Sequence, residues 1–265
     1  MILEQIAADT RLRVEEKKKE LPLEKVKEKA ENMENHTGFP FEQALKKADI
    51  SFICEVKKAS PSKGIIAEEF PYLQIAKEYE MAGADAISCL TEPKYFLGKD
   101  EYLKEIAQEV KIPVLRKDFV VDEYQVYEAK VLGASAVLLI CAILEEKQLK
   151  EYLQIAKNLG LSALVEAHDR QEIEMAIQAG AKIIGVNNRN LKDFSVNVGN
   201  STNLRNFVPS KFLFVAESGI KGPEDIEALR KNQVDAVLIG ETMMRSPDKS
   251  KMLRFLKGEE SHEES

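Results

Sequence analysis

A small-residue signature that returns about every 50 residues constrains this chain more than any other feature. It reads Ala82-Gly83-Ala84-Asp85-Ala86, then Leu132-Gly133-Ala134-Ser135-Ala136, then Ala179-Gly180-Ala181-Lys182. Gln233-Val234-Asp235-Ala236 takes the corresponding place once more. Each glycine suits the end of a helix, where the backbone turns left-handed, and its small neighbours ease the chain into the next strand. A period of about 50 residues accommodates two βα units, so four periods make eight units.

The hydrophobic pattern agrees. Segments rich in β-branched or aliphatic residues fall at 51–56, 84–90, 113–116, 136–141, 162–166, 182–186, 212–215 and 235–239. Amphipathic stretches with apolar residues three and four apart lie between most of them, at 71–82, 100–110, 122–132, 145–159, 170–179 and 224–231. The continuous apolar run 136–140 is what a parallel strand covered on both faces requires. A doubly wound open sheet is the rival, but no Gly-x-Gly-x-x-Gly follows the first strand. The expected fold is therefore α/β, a (βα)8 TIM barrel with an N-terminal helical extension. Residues 1–48 form the extension, with helical stretches at 3–18 and 22–33 that either plug the barrel floor or flap near its mouth. Residues 49–257 form the barrel, and the acidic run 258–265 is expected to be disordered.

Charge and special residues narrow the function class. The net charge of −7 and the absence of a basic stripe argue against nucleic-acid binding, but leave room for a small anionic substrate. Cys54, Cys89 and Cys141 lie in separate apolar runs, which suggests buried, reduced thiols. No His or Cys spacing suits a metal. The longest apolar run, 134–144, is too short for a bilayer, and Glu4 and Asp9 interrupt any signal-peptide pattern. A cytoplasmic location is expected.

In such a barrel the C-terminal strand ends and the loops after them carry the chemistry. At the first end, Ile50-Ser51-Phe52-Ile53-Cys54 runs straight into Glu55 and Lys57, which share one strand face. A plain ion pair explains those two charges almost as well as a site does. The turn sequence Ser60-Pro61-Ser62-Lys63-Gly64 follows. Later ends supply Glu92, Arg116-Lys117-Asp118, Glu166 with His168, Asn187 with Arg189, Glu217 and Glu241. So many strand ends with ionisable groups, converging on one mouth, favour a catalytic site over solvated decoration.

Ser218-Gly219 and Gly240-Glu241 follow the seventh and eighth strands, where backbone N–H groups of barrel enzymes commonly hold phosphate. Lys57 can add a charge-assisted contact. Lys117 and Glu166 are the best acid–base pair. Burial and Lys57 pull the Lys117 pKa down while Glu55 opposes them, so the sign stays open. Lys117 also suits Schiff-base chemistry. Glu166, behind Leu164 and Val165, is expected to have a raised pKa. Asn187 suits orienting a substrate, and Arg189 suits clamping Glu217 or a substrate carboxylate. Phe96, Phe119, Leu138 and Leu191 offer apolar surface to a planar ring.

These residues, in this order, resemble the indole-3-glycerol-phosphate synthase family. The likeness rests on Glu55-x-Lys57-x-x-Ser60-Pro61-Ser62-Lys63-Gly64, Leu90-Thr91-Glu92 with Tyr95-Phe96, and Leu115-Arg116-Lys117-Asp118-Phe119. It continues through Leu164-Val165-Glu166-Ala167-His168, Asn187-Asn188-Arg189-Asn190-Leu191, Glu217-Ser218-Gly219-Ile220 and Ile239-Gly240-Glu241. The resemblance implies closure of 1-(2-carboxyphenylamino)-1-deoxyribulose 5-phosphate to indole-3-glycerol phosphate, with loss of CO2 and water. It implies Lys117 as general acid and Glu166 as general base. Glu55 and Asn187 would stabilise charged intermediates, and Lys57 would hold the substrate's anionic groups. Ser218, Gly219 and Gly240 would take the phosphate, with the Glu241 side chain turned away and its N–H helping. Ser60, Arg189, Glu217 and Phe96 would complete the substrate site. No cofactor or metal is implied. The partner is a small phosphorylated molecule, with neither nucleic acid nor membrane, and the chain is expected to be a monomer or weak homo-oligomer.

The rival within the same fold is phosphoribosylanthranilate isomerase, which would want Cys and Asp where this chain has Glu55 and Glu166. A Schiff-base aldolase using Lys117 would leave a borohydride-trapped adduct. A barrel that only binds metabolites gains little from burying so many charges.

Overall fold

The computed structural model describes residues 2–190 and 194–259. Eight parallel strands close into a barrel: β1 (Ser51–Val56), β2 (Ala86–Leu90), β3 (Val114–Lys117), β4 (Ala136–Ile140), β5 (Ser162–Ala167), β6 (Ile183–Asn187), β7 (Leu213–Glu217) and β8 (Ala236–Ile239), with β8 pairing back to β1. The expected strands coincide with these, their ends moving by no more than two residues. Three helices precede the barrel, α1 (Ile2–Glu20), α2 (Leu23–Glu31) and α3 (Pro40–Ala44). The outer layer holds α4 (Tyr72–Met81), α5 (Asp100–Glu109), α6 (Glu123–Val131), α7 (Glu146–Asn158), α8 (Arg170–Ala179), α9 (Gly199–Arg205) and α10 (Pro223–Lys231), followed by α11 (Glu241–Arg245) and α12 (Lys249–Lys257). The short α3, α9 and α11 carry too few periodic positions to announce themselves in the sequence.

The recurring signature is a helix cap. Gly83 N–H donates to the Glu80 carbonyl and Ala84 N–H to that of Tyr79, each at 3.0 Å. Gly133 with Ala134, Gly180 with Ala181, and Gln233 with Val234 repeat the same pair of bonds. All four turning residues have positive φ, so Gln233 (φ 57°) carries a side chain where its counterparts are glycine. Gly160 with Leu161 forms a fifth copy after α7. It lacks the flanking alanines and escaped the sequence pattern.

Strand alternation then sorts the chain into two layers. Ile53, Leu115, Leu138, Leu164, Ile183, Val215 and Leu238 pack with Phe41 and Leu45 in one buried cluster inside the barrel. Their strand neighbours Phe52, Cys54, Val137, Val165, Ile184, Phe214 and Val237 pack outward against the helices. Stepping by two along the inner set reaches Glu55, Lys117, Glu166, Asn187 and Glu217 at the C-terminal ends. One face thus carries an apolar interior and a charged mouth.

The extension serves both ends of the barrel. Phe41 and Leu45 close the floor. At the opposite end Ile2, Leu3 and Ile6 of α1 line the cavity at the mouth. Ion pairs hold α1 there: Arg13 to Asp118 at 2.8 Å, Lys18 to Asp122 at 2.7 Å, and Lys17 to Asp100 and Glu128. All three cysteines are buried and unpaired. Among the described residues no helix is long and apolar enough to cross a membrane. The expected disordered tail lies, from residue 260 onward, outside the described residues.

Candidate active site

The mouth of the barrel encloses a cavity of about 590 Å3. Glu55, Lys57, Ser60, Phe96, Lys117, Phe119, Leu138, Glu166, Asn187, Arg189, Ser218, Gly219, Gly240 and Glu241 all line it. Leu191 lies outside the described residues. Glu217 does not face the cavity. It is fully buried, with its carboxyl against Lys117.

The centre of the site is a compact arrangement of three carboxylates around Lys117. The Lys117 Nζ lies 3.4 Å from Glu217 Oε2 and 3.9 Å from Glu55 Oε2. Glu55 Oε1 meets Lys57 Nζ at 2.5 Å, so the two charges that interrupt β1 are paired in this structure. Two absent side chains make room for the arrangement. A Cβ on Gly240 would sit 2.5 Å from Glu55 Oε1 and 2.8 Å from Lys57 Nζ, and one on Gly185 would sit 2.3 Å from Glu217 Oε1.

Companion cations sort the carboxyl groups. Burial pushes the Glu55 pKa up, but Lys57 and Lys117 outweigh it and hold Glu55 below the usual range. Glu166 is buried too, yet His168, Lys117 and Asn187 bring it down to about 2. That corrects the expected rise, which weighed the apolar neighbours of Glu166 and gave the imidazole two residues on no part in it. For Glu217 burial dominates, the shared Lys117 offsets only part of it, and the carboxyl is lifted to about 8. Burial alone would lower Lys117, but Glu217, Glu55 and Glu166 together hold it above its ordinary value. The open sign is settled upward, and the ammonium keeps its proton at neutral pH.

Not every charged strand end reaches the mouth. Arg116 alternates with Leu115 and Lys117, so it faces the helices, where it meets Asp100 at 2.8 Å and Glu128 at 2.7 Å. Glu92 accepts backbone N–H groups of Lys94, Tyr95 and Phe96, and so fixes the loop that presents Phe96. Asn188 accepts from Ser201 and donates to the Ser218 carbonyl. Arg189 does not clamp Glu217, which lies beneath it on β7. Its Nη2 is 3.8 Å from Glu241 instead. The Glu241 carboxylate, expected to turn away, stays at the rim because Lys63 (3.3 Å) and Arg245 (3.2 Å) also hold it.

The remaining wall carries a pair of aromatic rings and a left-handed backbone turn. Phe96 and Phe119 stand with centroids 5.8 Å apart. After β7, Ser218 (φ 68°) and Gly219 (φ 85°) take successive left-handed conformations, a costly backbone for a serine of the kind that clusters at functional sites. The Ser-Pro-Ser-Lys-Gly turn is a small hairpin, Ala59–Ser60 pairing with Gly64–Ile65. Among the described residues no cluster of His, Cys, Asp or Glu is arranged to hold a metal ion. Sequence reasoning gave no role to His168 and left open whether the N-terminal helices lie at the floor or near the mouth. His168 stands two residues beyond Glu166, a spacing that puts both on one face and was legible.

Solved structures share the architecture at low identity. 3-Hexulose-6-phosphate synthase superposes with a TM-score of 0.62 at 14% identity, over 80% of this chain and all (100%) of that one. Thiamine phosphate pyrophosphorylase from Pyrococcus furiosus gives 0.60 at 18% identity, over 82% and 96%. Sequence relatives are nearer. Indole-3-glycerol phosphate synthase of Ruminiclostridium cellulolyticum is 58% identical over 97% of this chain and 99% of its own length. That of Endomicrobium trichonymphae is 55% identical over 97% and 100%. The family model for indole-3-glycerol phosphate synthase matches residues 3–256, taking in α1, the whole barrel and every charged strand end. A single fold, near-complete coverage and this identity leave one conclusion: the chain belongs to the indole-3-glycerol phosphate synthase family.

Proposed function

We propose that the protein is a carboxy-lyase that closes 1-(2-carboxyphenylamino)-1-deoxyribulose 5-phosphate to indole-3-glycerol phosphate, releasing CO2 and water, in tryptophan biosynthesis. The observation that carries the proposal is the Lys117 ammonium, kept protonated by the ionised Glu55 and Glu166 at a mouth that also offers an aromatic wall. A lysine held in this state is an acid, not an amine free to form a Schiff base.

The anthranilate ring lies against Phe96, Phe119 and Leu138. The phosphate sits on the Ser218 hydroxyl and on the backbone of Ser218, Gly219 and Gly240, with Lys57 swinging from Glu55 to meet the substrate's negative charge. Lys117 gives its proton to the ribulose carbonyl oxygen as the ring carbon attacks, so alkoxide charge never builds up. The new C–C bond replaces the bond to the carboxylate, which leaves as CO2 and returns its electron pair to the ring. Loss of the hydroxyl as water needs one proton delivered to its oxygen and one taken from the substrate carbon: an ammonium of Lys57 or of reprotonated Lys117 gives the first, and the ionised Glu166 takes the second. Glu55 and Asn187 stabilise the positive charge that appears between these steps.

The test is a fluorescence assay of indole formation with the anthranilate-bearing ribulose phosphate, run beside borohydride trapping. Turnover without a trapped adduct supports the reading, and a covalent adduct on Lys117 overturns it.

A further inference from the structure

The proposed chemistry uses Glu166 but leaves unexplained the group behind it. His168 lies just past the end of β5, two residues beyond Glu166. Its Nε2 is 3.2 Å from Glu166 Oε1, a charge contact without hydrogen-bond alignment, and its Nδ1 is hydrogen-bonded at 3.1 Å to Glu172 Oε2 on the first turn of α8. The same Glu172 oxygen accepts the His168 backbone N–H at 2.7 Å. Glu172 therefore fixes both the backbone and the ring of His168, while Asp169 caps α8 through the Glu172 N–H. A neutral imidazole can donate its one N–H to Glu172 but carries no charge toward Glu166, whereas an imidazolium donates to Glu172 and attracts Glu166 at 3.2 Å as well. The chain Glu166–His168–Glu172 runs from the cavity to the outer helix layer.

We propose that His168, oriented by Glu172, is a positioning residue that keeps Glu166 ionised and aimed into the cavity, and so sets the acid limit of turnover. This rests on Glu166 acting as the base. Burial opposes charge on both partners, yet the His168 pKa is raised to about 10 by Glu166 and Glu172, and Glu166 falls correspondingly. The other groups facing Glu166 are Lys117 on β3 and Asn187 on β6, which favour its ionised form, and the carboxyl groups of Glu55 on β1 and Glu217 on β7, which oppose it. Facing Glu172 is Cys141, whose Sγ lies 3.6 Å from the Glu172 carbonyl and whose thiol stays protonated. No cation besides His168 faces Glu166 from its own strand end.

The experiment is the pH profile of kcat and KM for the wild type, His168→Ala, His168→Gln and Glu172→Gln. Removing the imidazolium is expected to move the acid limb of kcat upward by roughly 1–3 pH units with KM little changed, because a neighbouring opposite charge shifts a carboxyl by that much. His168→Gln, which keeps a donor without charge, should show nearly the same shift. Glu172→Gln should show a smaller one. A limb that stays in place, or a uniform loss of kcat at every pH, overturns the proposal. Glu166→Gln is measured alongside: if it turns over normally, the base assignment fails and the proposal falls with it. An unshifted limb beside an inactive Glu166→Gln removes the proposal alone. Nuclear magnetic resonance titration of the wild-type histidines covers the case of unfolded variants. A His168 ring that remains charged above about pH 8 supports the proposal, and one titrating near its ordinary value of about 6.5 overturns it.

Discussion

Lys117 Nζ lies 3.4 Å from Oε2 of Glu217, a carboxyl group that has no exposed surface. The pairing looks backward into the barrel, away from the substrate. Its effect is to fix the Lys117 side chain where the substrate carbonyl is proposed to arrive.

Lys117→Met should therefore lose ring closure while the substrate still binds. A drop in kcat of at least about 100-fold is expected from loss of a general acid, with the dissociation constant for substrate shifted little. Titration of substrate fluorescence together with turnover checks both. Near-wild-type kcat would sink the acid assignment.

Glu217 gives the protein a pH signature. Its pKa, lifted to about 8 by burial, exceeds the value of about 4.5 in an unfolded chain. Between these limits the folded state holds a proton that the unfolded state has released. Its contribution to stability is then present below about pH 4.5 and declines as pH rises through about 8. Glu217→Gln removes that decline. Urea midpoints should show the variant gaining on the wild type as pH increases, and a constant difference between about pH 5 and 9 would exclude the raised carboxyl.

Ser218→Ala tests the left-handed turn after β7. Loss of one hydroxyl contact to phosphate should raise KM about 2- to 10-fold with a smaller effect on kcat, the range expected for one hydrogen bond. Steady-state kinetics decide it, and an unchanged KM would count against the phosphate site.

Gln233 occupies, at φ 57°, a cap position that glycine fills in the matching turns. Gln233→Gly should relieve the left-handed strain and stabilise the fold by about 0.5–1 kcal/mol, the unfolded-state entropy of glycine offsetting part of the gain. Thermal unfolding would then rise by about 1–3 °C. A lower melting temperature would show that the Gln233 side chain contributes more than its backbone costs.

The barrel was legible because strand and cap periodicities are local. Glu55, Lys117, Glu166 and Asn187 were legible because alternation propagates a known inward face to each strand end. Arg116 and Glu92 misled because charge alone does not say which face a residue occupies. The direction of the Glu166 shift was lost because the spacing shows that His168 shares its face, but not that the imidazole comes within 3.2 Å of the carboxylate. Arg189 finds Glu241 instead of Glu217 because loops are free to collect whatever countercharge lies above the strands.

The floor of the barrel carries a consequence for how the molecule is made. Phe41 and Leu45 are translated before any strand, yet their burial site is built from residues as distant as Leu238. On a ribosome this segment emerges ahead of the whole barrel, and its apolar side chains must wait while the ring closes. Pulsed hydrogen exchange during refolding should find the amides of α3 protected after those of β1 and β8, and earlier protection of α3 would mean that the floor forms before the ring.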